Sequence, residues 1–315
     1  MCGQCGLILP EPGAVGHLLV EMETAMIHRG PDSTGFALYG EPPPDDRIVV
    51  RARMAEASRA DETLRDIVDG VTAIGAELLG DPTVDDATAA SDRFLRLLLR
   101  FAGPVDVLLD TIEGIGGTSV HSMGRGLEIV KDVGDARTVA ARHHIDEFVG
   151  THGLAHSRLA TESLVNVEWS HPFWARPFLD VAIAHNGQLT NHYKMRRLMN
   201  QRGLRFLTDN DSEVIAVYIA EQLSLGALLH DALAGSIDVL DGVFTYLLST
   251  EDGVGVASDR LAIKPVVVTE VGGKVAMATE EQSLRHIFAE EIDTYVPVEG
   301  TARVWPVPPS GRMAA

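Results

Sequence analysis

The chain has 315 residues, of which 45 are Asp or Glu and 26 are Lys or Arg, for a formal net charge of −19 at pH 7. A surface this acidic repels phosphate backbones and anionic lipid headgroups, which excludes nucleic acid and membrane surfaces as expected partners. Hydrophobic residues make up 45% of the chain and charged residues 23%, as in globular rather than disordered proteins. At roughly 150 residues per domain, the length allows two domains or one large one.

The sequence contains neither an expected membrane span nor an expected secretory signal. No apolar run reaches the roughly 18 residues of a transmembrane helix. The N-terminus lacks a basic region, and Pro10, Glu11 and Pro12 interrupt its apolar stretch. The two cysteines, Cys2 and Cys5, are too few and too close together to form a disulfide framework. We therefore expect a cytoplasmic protein in a reducing compartment.

The first 115 residues are predicted to form strands and a helix, followed by a helical insertion. Residues 3–9 are a short apolar run typical of a strand, and a helical apolar pattern follows until Pro31. Residues 34–39 and 47–51 are predicted to pair as a hairpin. Residues 52–115 are predicted to be the insertion. Its two clearest helices are assigned from Leu95, Leu97, Leu98 and Leu99, and from Val105, Leu108, Leu109 and Ile112.

The rest of the chain is predicted as short strands interleaved with helices. The strands are expected at 118–123, 127–132, 151–157, 181–184, 243–249, 255–258, 266–269 and 275–278. The helices are expected at 135–143, 190–201 with Thr190 as its cap, 212–223, 226–239 and 280–288. Consecutive hairpins and paired helices favour an α+β fold of stacked antiparallel sheets covered by helices over a βαβ repeat. Residues 2–300 are predicted to form one domain, and 301–315 a loose C-terminal tail.

Cys2, directly after the initiator Met1, is the strongest chemical signal in the sequence. Methionine is normally removed when a small residue follows, and removal would leave Cys2 with both a thiol and a free α-amine. An α-amine has a pKa near 7.7–8.0 and can act as a base at neutral pH. A thiol beside its own base is an activated nucleophile. The alternative is an ordinary cysteine in the second position.

Cys2 and Cys5 also form a C-x-x-C pattern, which admits a redox pair or half of a zinc site. Redox pairs of this type usually lie between a strand and a helix rather than at the start of a chain. A zinc site needs further ligands, and the chain has no second cysteine pair. Cys5 is therefore expected to pack as a small buried residue.

Two arginine-containing motifs could contribute to a site. Arg29 and Asp32 lie in a glycine-punctuated turn that either caps local backbone or presents Arg29 to a ligand. Arg158 follows a predicted strand, and its guanidinium suits a bidentate grip on a carboxylate. Its alternative role is a surface ion pair.

Two further motifs offer an oxyanion hole and an anionic side chain. Asn186 and Gly187 follow a buried strand, and an amide N–H beside a glycine N–H makes a plausible pair of oxyanion donors. The same Asn-Gly dipeptide is also a strongly favoured hairpin turn. Asp211 precedes a helix, where it either caps the helix or binds a substrate ammonium group.

The order of these motifs resembles that of the class II glutamine amidotransferases, which have an N-terminal-nucleophile hydrolase fold. The resemblance covers nearly the whole chain except roughly 41–117 and the C-terminal tail. It implies an αββα sandwich of two antiparallel sheets flanked by helices. The segments that carry it are Cys2, RGPDSTG (29–35), HSRLAT (156–161), HNG (185–187), NDSEVI (210–215) and SDRLAIKP (258–265).

The resemblance assigns expected roles residue by residue. Cys2 would be the nucleophile, with Asn186 and Gly187 as the oxyanion hole. Arg158 would bind the α-carboxylate of glutamine, and Asp211 its α-amine. The other expected positions are Thr161 and His171 at the substrate, Arg29 and Asp32 as a buttress of the nucleophile, and Lys264 and Pro265 in a structural return strand.

Two positions depart from the family pattern. Members usually start with Cys-Gly and an apolar residue, whereas Gln4 and Cys5 follow here. Leu159 stands where some members carry an aromatic residue. Both departures concern the detail of the pocket rather than the reaction.

The resemblance further implies glutamine hydrolysis without a metal or organic cofactor in this chain. Only about 50 residues follow the last motif, so we expect a partner synthase subunit to handle the ammonia. Stand-alone subunits of glutamate-synthase-like systems are the nearest match, such as that of N-methylglutamate synthase, where partner subunits carry flavin and iron–sulfur centres. Two alternatives stay open, a non-catalytic subunit that senses glutamine and an N-terminal-nucleophile amidase acting on another amide.

Overall fold

The computed structural model describes residues 2–40, 46–85, 92–159 and 166–308. Among these residues, every helix is too short or too polar to cross a bilayer. The strands are β1 (Gly3–Gly13), β2 (Ser33–Tyr39), β3 (Arg47–Met54), β4 (Glu77–Leu78), β5 (Thr83–Val84), β6 (Arg93–Arg100), β7 (Thr118–Gly124), β8 (Leu127–Val133), β9 (Gly150–Arg158), β10 (Phe173–Trp174), β11 (Ala182–Leu189), β12 (Gly242–Thr250), β13 (Gly253–Ser258), β14 (Val267–Val271), β15 (Lys274–Ala278) and β16 (Ala302–Pro306). The helices are α1 (Val15–Ala25), α2 (Ala60–Ala73), α3 (Val105–Glu113), α4 (Ala136–His143), α5 (His192–Gln201), α6 (Asp211–Ser224), α7 (Leu229–Val239) and α8 (Glu281–Arg285).

Two antiparallel sheets form the centre of the molecule. One has six strands in the order β14-β15-β1-β9-β2-β8, and the other has five in the order β10-β11-β12-β13-β16. Side chains from the facing sides of both sheets, among them Ile8, Leu154, Leu247 and Val254, belong to one buried cluster. Burial of these faces away from water holds the two sheets together.

Helices cover the outer face of each sheet. Alternate residues of β1, Cys5, Leu7 and Leu9, point away from the facing sheet and join a cluster that includes Leu19 of α1. On the other side, α6 packs against β11 and contributes Ile215 to a third cluster. The result is the αββα sandwich that the sequence predicts.

A third sheet of five strands is formed by the part of the chain between β2 and β8. Its order is β4-β6-β3-β7, with β5 paired to β6. The prediction of a helical insertion is confirmed for α2 and α3 and is wrong for residues 93–100. Leu95, Leu97 and Leu99 are fully buried at alternate positions of a strand, which is a period of two rather than a helical period.

Three further sequence predictions are wrong. Strand β3 does not form a hairpin with β2, because β3 pairs with β6 and β7 whereas β2 pairs with β8 and β9. The predicted loose tail begins with a strand, since β16 pairs with β13 and buries Trp305. Thr190 does not cap α5, because its hydroxyl donates to Asp241 and Asn191 holds the cap position.

Candidate active site

A cavity of about 630 Å³ opens where β1, β9 and β11 meet the start of α6. Gly3 pairs with Ser157, so Cys2, directly before β1, lies beside Arg158 at the end of β9. The cavity brings together seven of the nine residues that the sequence assigns to catalysis, substrate binding or support of the nucleophile. They are Cys2, Arg29, Arg158, His171, Asn186, Gly187 and Asp211. Thr161 lies outside the described residues.

Asn186 reaches from β11 to the first described residue of the chain. Its side-chain Nδ2 donates to the backbone oxygen of Cys2 at 3.2 Å and to Thr279 Oγ1 at 3.3 Å. Its Oδ1 lies 3.1 Å from His156 Nε2. The NH₂ end of this amide therefore points toward the backbone of Cys2 and toward Thr279, which is the side of Asn186 on which an oxyanion donor is required.

Gly187 occupies a backbone conformation that favours glycine, with φ of 145°. A Cβ atom at this position would lie 2.1 Å from the carbonyl oxygen of Val243 on β12. The close approach of these strands explains why glycine follows Asn186. The alternative reading of Asn-Gly as a hairpin turn is wrong, because both residues lie within β11 and pair with β12.

Arg158 is 9% exposed and lines the cavity. Burial lowers the pKa of its guanidinium, whereas Cys2 and Asp32 act in the opposite direction. An arginine nevertheless stays a cation, so the cavity contains a fixed positive charge next to Cys2. The alternative of an exposed surface ion pair does not fit this burial.

The turn that contains Arg29 and Asp32 packs behind Arg158. The backbone N–H of Asp32 donates to the Arg158 carbonyl oxygen at 3.2 Å. Arg29 lines the cavity, and its Nε donates to Glu280. Arg29 therefore reaches the site itself, while Asp32 supports the strand end that carries Arg158.

Asp211 is the first residue of α6 and lines the opposite part of the cavity. Its Oδ2 accepts a hydrogen bond from the backbone N–H of Leu189 at 2.8 Å. The cap of α6 is Asn210, whose Oδ1 accepts from the Ser212 N–H at 2.8 Å. The reading of Asp211 as the cap is therefore wrong, and its carboxylate faces the cavity.

Three buried histidines, His156, His171 and His185, cluster at the cavity, and the last two line it. Ser212 Oγ lies 2.8 Å from both His171 Nε2 and His185 Nδ1. The rings of His156 and His171 pack with centroids 4.2 Å apart. Burial lowers the pKa of all three, that of His156 to about 3, so they are neutral at physiological pH.

Several contacts of the site escape sequence reasoning. His156 and His185 lie in motifs that the sequence singles out for other residues, and Ser212 directly follows Asp211. Their hydrogen bonds connect β9 with β11 and β11 with α6, and the sequence does not predict these contacts. Thr279, directly after β15, lines the cavity and belongs to none of the motifs in the sequence. Lys264 and Pro265 line the cavity from the segment between β13 and β14, so the predicted return strand is wrong at these residues.

Cys5 points away from the cavity. It is fully buried on the helix-facing side of β1, where it contacts Glu23. Burial raises the pKa of its thiol well above the ordinary value. Within the described residues, no group of three or more potential metal ligands occurs. The expectation that Cys5 packs as a buried residue is confirmed.

Comparison with known proteins identifies the family. A sequence model of the glutamine amidotransferase domain matches residues 156–286. A Methanothermobacter thermautotrophicus protein, provisionally named a glutamine amidotransferase, is 32% identical over 98% of this chain and all of its own length. The glutamine amidotransferase-like protein GlxB of Rhizobium meliloti is 33% identical over 98% of this chain and 96% of its own. The chain belongs to the class II glutamine amidotransferases.

A solved structure supports the fold of this amidotransferase. The glutamine phosphoribosylpyrophosphate amidotransferase of B. subtilis superposes with a TM-score of 0.60 and 17% identity. The match covers 96% of this chain but only 47% of that one, so the present chain spans about half the length of that protein. The family membership makes this chain an enzyme of glutamine amide hydrolysis.

Proposed function

We propose that Cys2, after removal of Met1, is the nucleophile of a glutaminase whose oxyanion hole is formed by Asn186 and Gly187. One observation carries the proposal, the 3.2 Å hydrogen bond from Asn186 Nδ2 to the Cys2 carbonyl oxygen across 184 positions of the chain. A donor that lies this close to the first residue can reach an oxyanion formed by attack of the Cys2 sulfur. One such donor typically contributes about 3–4 kcal/mol to transition-state stabilisation.

The reaction begins when Cys2 Sγ attacks the side-chain carbonyl carbon of glutamine. The free α-amine of Cys2 takes the thiol proton and delivers it to the amide nitrogen, which leaves as ammonia. A glutamyl thioester remains. Water then adds to the thioester, the C–S bond breaks, and glutamate leaves as the thiol regains its proton. With Met1 in place the same nitrogen would belong to a peptide bond and could not act as a base.

Arg158 and Asp211 explain why the substrate would be free glutamine. A guanidinium and a carboxylate in one cavity match the α-carboxylate and the α-ammonium of an amino acid. A glutamine side chain within a peptide lacks both charges. Placing His171 at the substrate, and Thr161 as a neighbouring contact, is part of the same proposal.

A partner synthase is the proposed receiver of the ammonia or glutamyl group. Support comes from the two relatives matched over 96–100% of their own length, because both are named for amidotransferase activity, in which the amide nitrogen passes to an acceptor. A glutamate-synthase-like partner, such as the subunits of N-methylglutamate synthase, is the specific proposal. The test is co-expression with those subunits and measurement of amide ¹⁵N transfer from glutamine to the acceptor. Release of all label as free ammonia would oppose that partner.

A labelling experiment tests the nucleophile. The purified protein, with Met1 removal verified by intact mass, is incubated with 6-diazo-5-oxo-norleucine, whose diazoketone carbon alkylates the attacking thiol with loss of N₂. We expect one adduct on Cys2, and none in Cys2→Ala. Cys5→Ala is the matched control and should label like the wild type, because Cys5 lies on the other face of β1.

The same variants separate the competing functions. Release of ammonia from free glutamine that is lost in Cys2→Ala supports the proposed enzyme. Glutamine binding without hydrolysis by the processed protein would favour a sensing subunit. Hydrolysis of amides that lack the α-amine and α-carboxylate at equal rates would favour an amidase of another class.

A further inference from the structure

The side-chain amide of Asn186 has two ends of nearly equal shape, and only its hydrogen bonds determine which end faces Cys2. The proposed function requires the NH₂ end there, because a carbonyl oxygen would repel a developing oxyanion. The hydrogen-bond partners of Asn186 therefore determine whether the amide has that orientation.

Both neighbours on the cavity side are acceptors. The backbone oxygen of Cys2 can only accept. The Thr279 hydroxyl lies 3.2 Å from the Gln4 carbonyl oxygen, to which it donates, and it accepts from the Gln4 N–H at 3.0 Å. Its single proton is then committed to Gln4, and its remaining lone pair accepts from Asn186 Nδ2 at 3.3 Å.

On the opposite side of the amide, His156 Nε2 lies 3.1 Å from Asn186 Oδ1. This contact is a hydrogen bond only when Nε2 carries a proton. If the ring proton were on Nδ1 instead, Asn186 Oδ1 would face the lone pair of His156 Nε2. The amide would then be more stable with its NH₂ end rotated toward His156. That rotation would remove the donor from the oxyanion position.

The surroundings of His156 support a fixed tautomer. The residue is 1% exposed, and within the described part of the chain its Nδ1 has no hydrogen-bond partner. Burial and the charges of His185 and Arg158 oppose a positive ring, and they outweigh the contacts with Asn186 and with the His185 backbone, which favour one. A neutral ring with its one proton on Nε2 satisfies the contact with Asn186 Oδ1.

We propose that His156 is a positioning residue, which donates from Nε2 to Asn186 Oδ1 and thereby locks the amide with its N–H groups toward the nucleophile. The inference rests on the proposed function, and it adds a specific tautomer and a specific partner to the oxyanion hole.

Kinetic variants provide the first test. His156→Leu removes the donor and should lower kcat about 10- to 100-fold with KM for glutamine within twofold, since the lock acts on the transition state. His156→Gln can donate from its own amide and should recover part of kcat. His152→Leu is the matched control, because His152 is a buried histidine on the same face of β9 that bonds to the Thr250 carbonyl oxygen instead. It should reduce stability and leave kcat near the wild-type value.

A double-mutant cycle separates positioning from general loss of structure. In an Asn186→Ala background, His156→Leu should change kcat by less than about twofold, because the group that it positions is gone. An equal loss of kcat in both backgrounds would overturn the proposal. A wild-type kcat in folded His156→Leu, or no recovery of kcat in His156→Gln, would also overturn it.

An NMR measurement tests the lock independently of activity. In protein labelled with ¹⁵N-histidine, the His156 ring should remain neutral with its proton on Nε2 from pH 5 to pH 8. A neutral ring with its proton on Nδ1 would overturn the proposal even in an active enzyme, because Nε2 could then not donate to Asn186. Conversely, an Nε2 proton in a protein that neither labels at Cys2 nor hydrolyses glutamine would refute the proposed function while supporting the lock.

Discussion

Gly30 lies directly against the backbone of Arg158. A Cβ atom at residue 30 would lie 2.5 Å from the Arg158 carbonyl carbon and 2.8 Å from its nitrogen and oxygen. Backbone atoms cannot move aside as the end of a flexible side chain can. The turn that contains Arg29 and Asp32 therefore sets the position of the strand end that presents the guanidinium to the cavity.

Gly30→Ala should consequently displace Arg158 and weaken recognition of the glutamine α-carboxylate. We expect kcat/KM for glutamine to fall about 10- to 100-fold, which is the scale of a misplacement near 1 Å. Gly235→Ala in α7 is the control, since a Cβ there meets nothing within 4 Å, and it should leave kcat/KM unchanged. Steady-state kinetics on both variants make the comparison, and equal values would show that the contact with Gly30 does not position Arg158.

The sequence predicts the two central sheets and most of the site, because local signals mark both. Strands such as β9 and β11 are buried and contain or adjoin the polar motifs. Arg158 ends β9, Asn186 lies within β11, and Cys2 directly precedes β1. The pairing of β3 with β6 and β7 is not predicted. The pairing of β3 depends on contacts between segments that are distant in the chain. The turn between β2 and β3, in contrast, suggests that these two adjacent strands pair with each other.

The contacts around the site are the least predictable part. Thr279 accepts hydrogen bonds from both Gln4 and Asn186, although 275 positions separate it from Gln4. No periodicity or motif marks a hydroxyl at the end of β15 as a neighbour of the chain's first strand. Leu95, Leu97 and Leu99 illustrate a different limit, because a run of leucines satisfies helical and strand patterns until the buried face is known.

Asp211 is predicted to discriminate glutamine from its analogues without an α-amine. Asp211→Asn removes the negative charge from the cavity but retains an oxygen for the Leu189 N–H. We expect KM for glutamine to rise at least about tenfold with a smaller effect on kcat. Asp209→Asn, two residues earlier and with its side chain 77% exposed, should retain the wild-type KM. Binding of glutamine measured by calorimetry on Cys2→Ala backgrounds provides the check, and equal affinities for both variants would contradict the assignment.

Glu128 is predicted to hold the third sheet to the six-stranded sheet. Its carboxylate accepts from Arg51 Nε at 2.7 Å and from Arg96 Nε at 2.9 Å, which connects β3 and β6 with β8. Burial would raise the pKa of Glu128, but the two arginines hold it below its ordinary value. Glu128→Gln leaves two partly buried cations without their counter-charge, so the free energy of unfolding should fall by about 2–4 kcal/mol.

The control for Glu128 is an exposed pair in the same third sheet. Glu77 binds Arg100 with both side chains largely in solvent, and Glu77→Gln should change the free energy of unfolding by less than about 1 kcal/mol. Urea denaturation at pH 7 measures both variants. Similar small losses for the two would mean that the sheets are joined by apolar packing alone.

The buried carboxyl group of Glu23 is predicted to make the stability of the fold depend on pH. It is fully buried on α1, where Ser157 Oγ donates to its Oε2 at 2.6 Å. Burial raises the pKa of its carboxyl to about 7, although the bonds from Ser157 and Cys5 act in the opposite direction. Because this pKa lies above that of the unfolded chain, the contribution to stability is complete below about pH 4.5 and is lost as pH rises through 7.

Glu23→Gln should remove that loss. The free energy of unfolding of the wild type, taken relative to Glu23→Gln, should fall by on the order of 3 kcal/mol between pH 4.5 and pH 8. Taking the difference cancels other groups that titrate in this range, such as the buried Lys131, whose pKa burial lowers to about 7. Ser157→Ala should steepen the fall, because it removes a bond that favours the ionised carboxyl. Glu11→Gln, exposed on β1, should follow the wild-type curve, and a flat difference between wild type and Glu23→Gln would mean that water or a cation reaches the buried carboxylate.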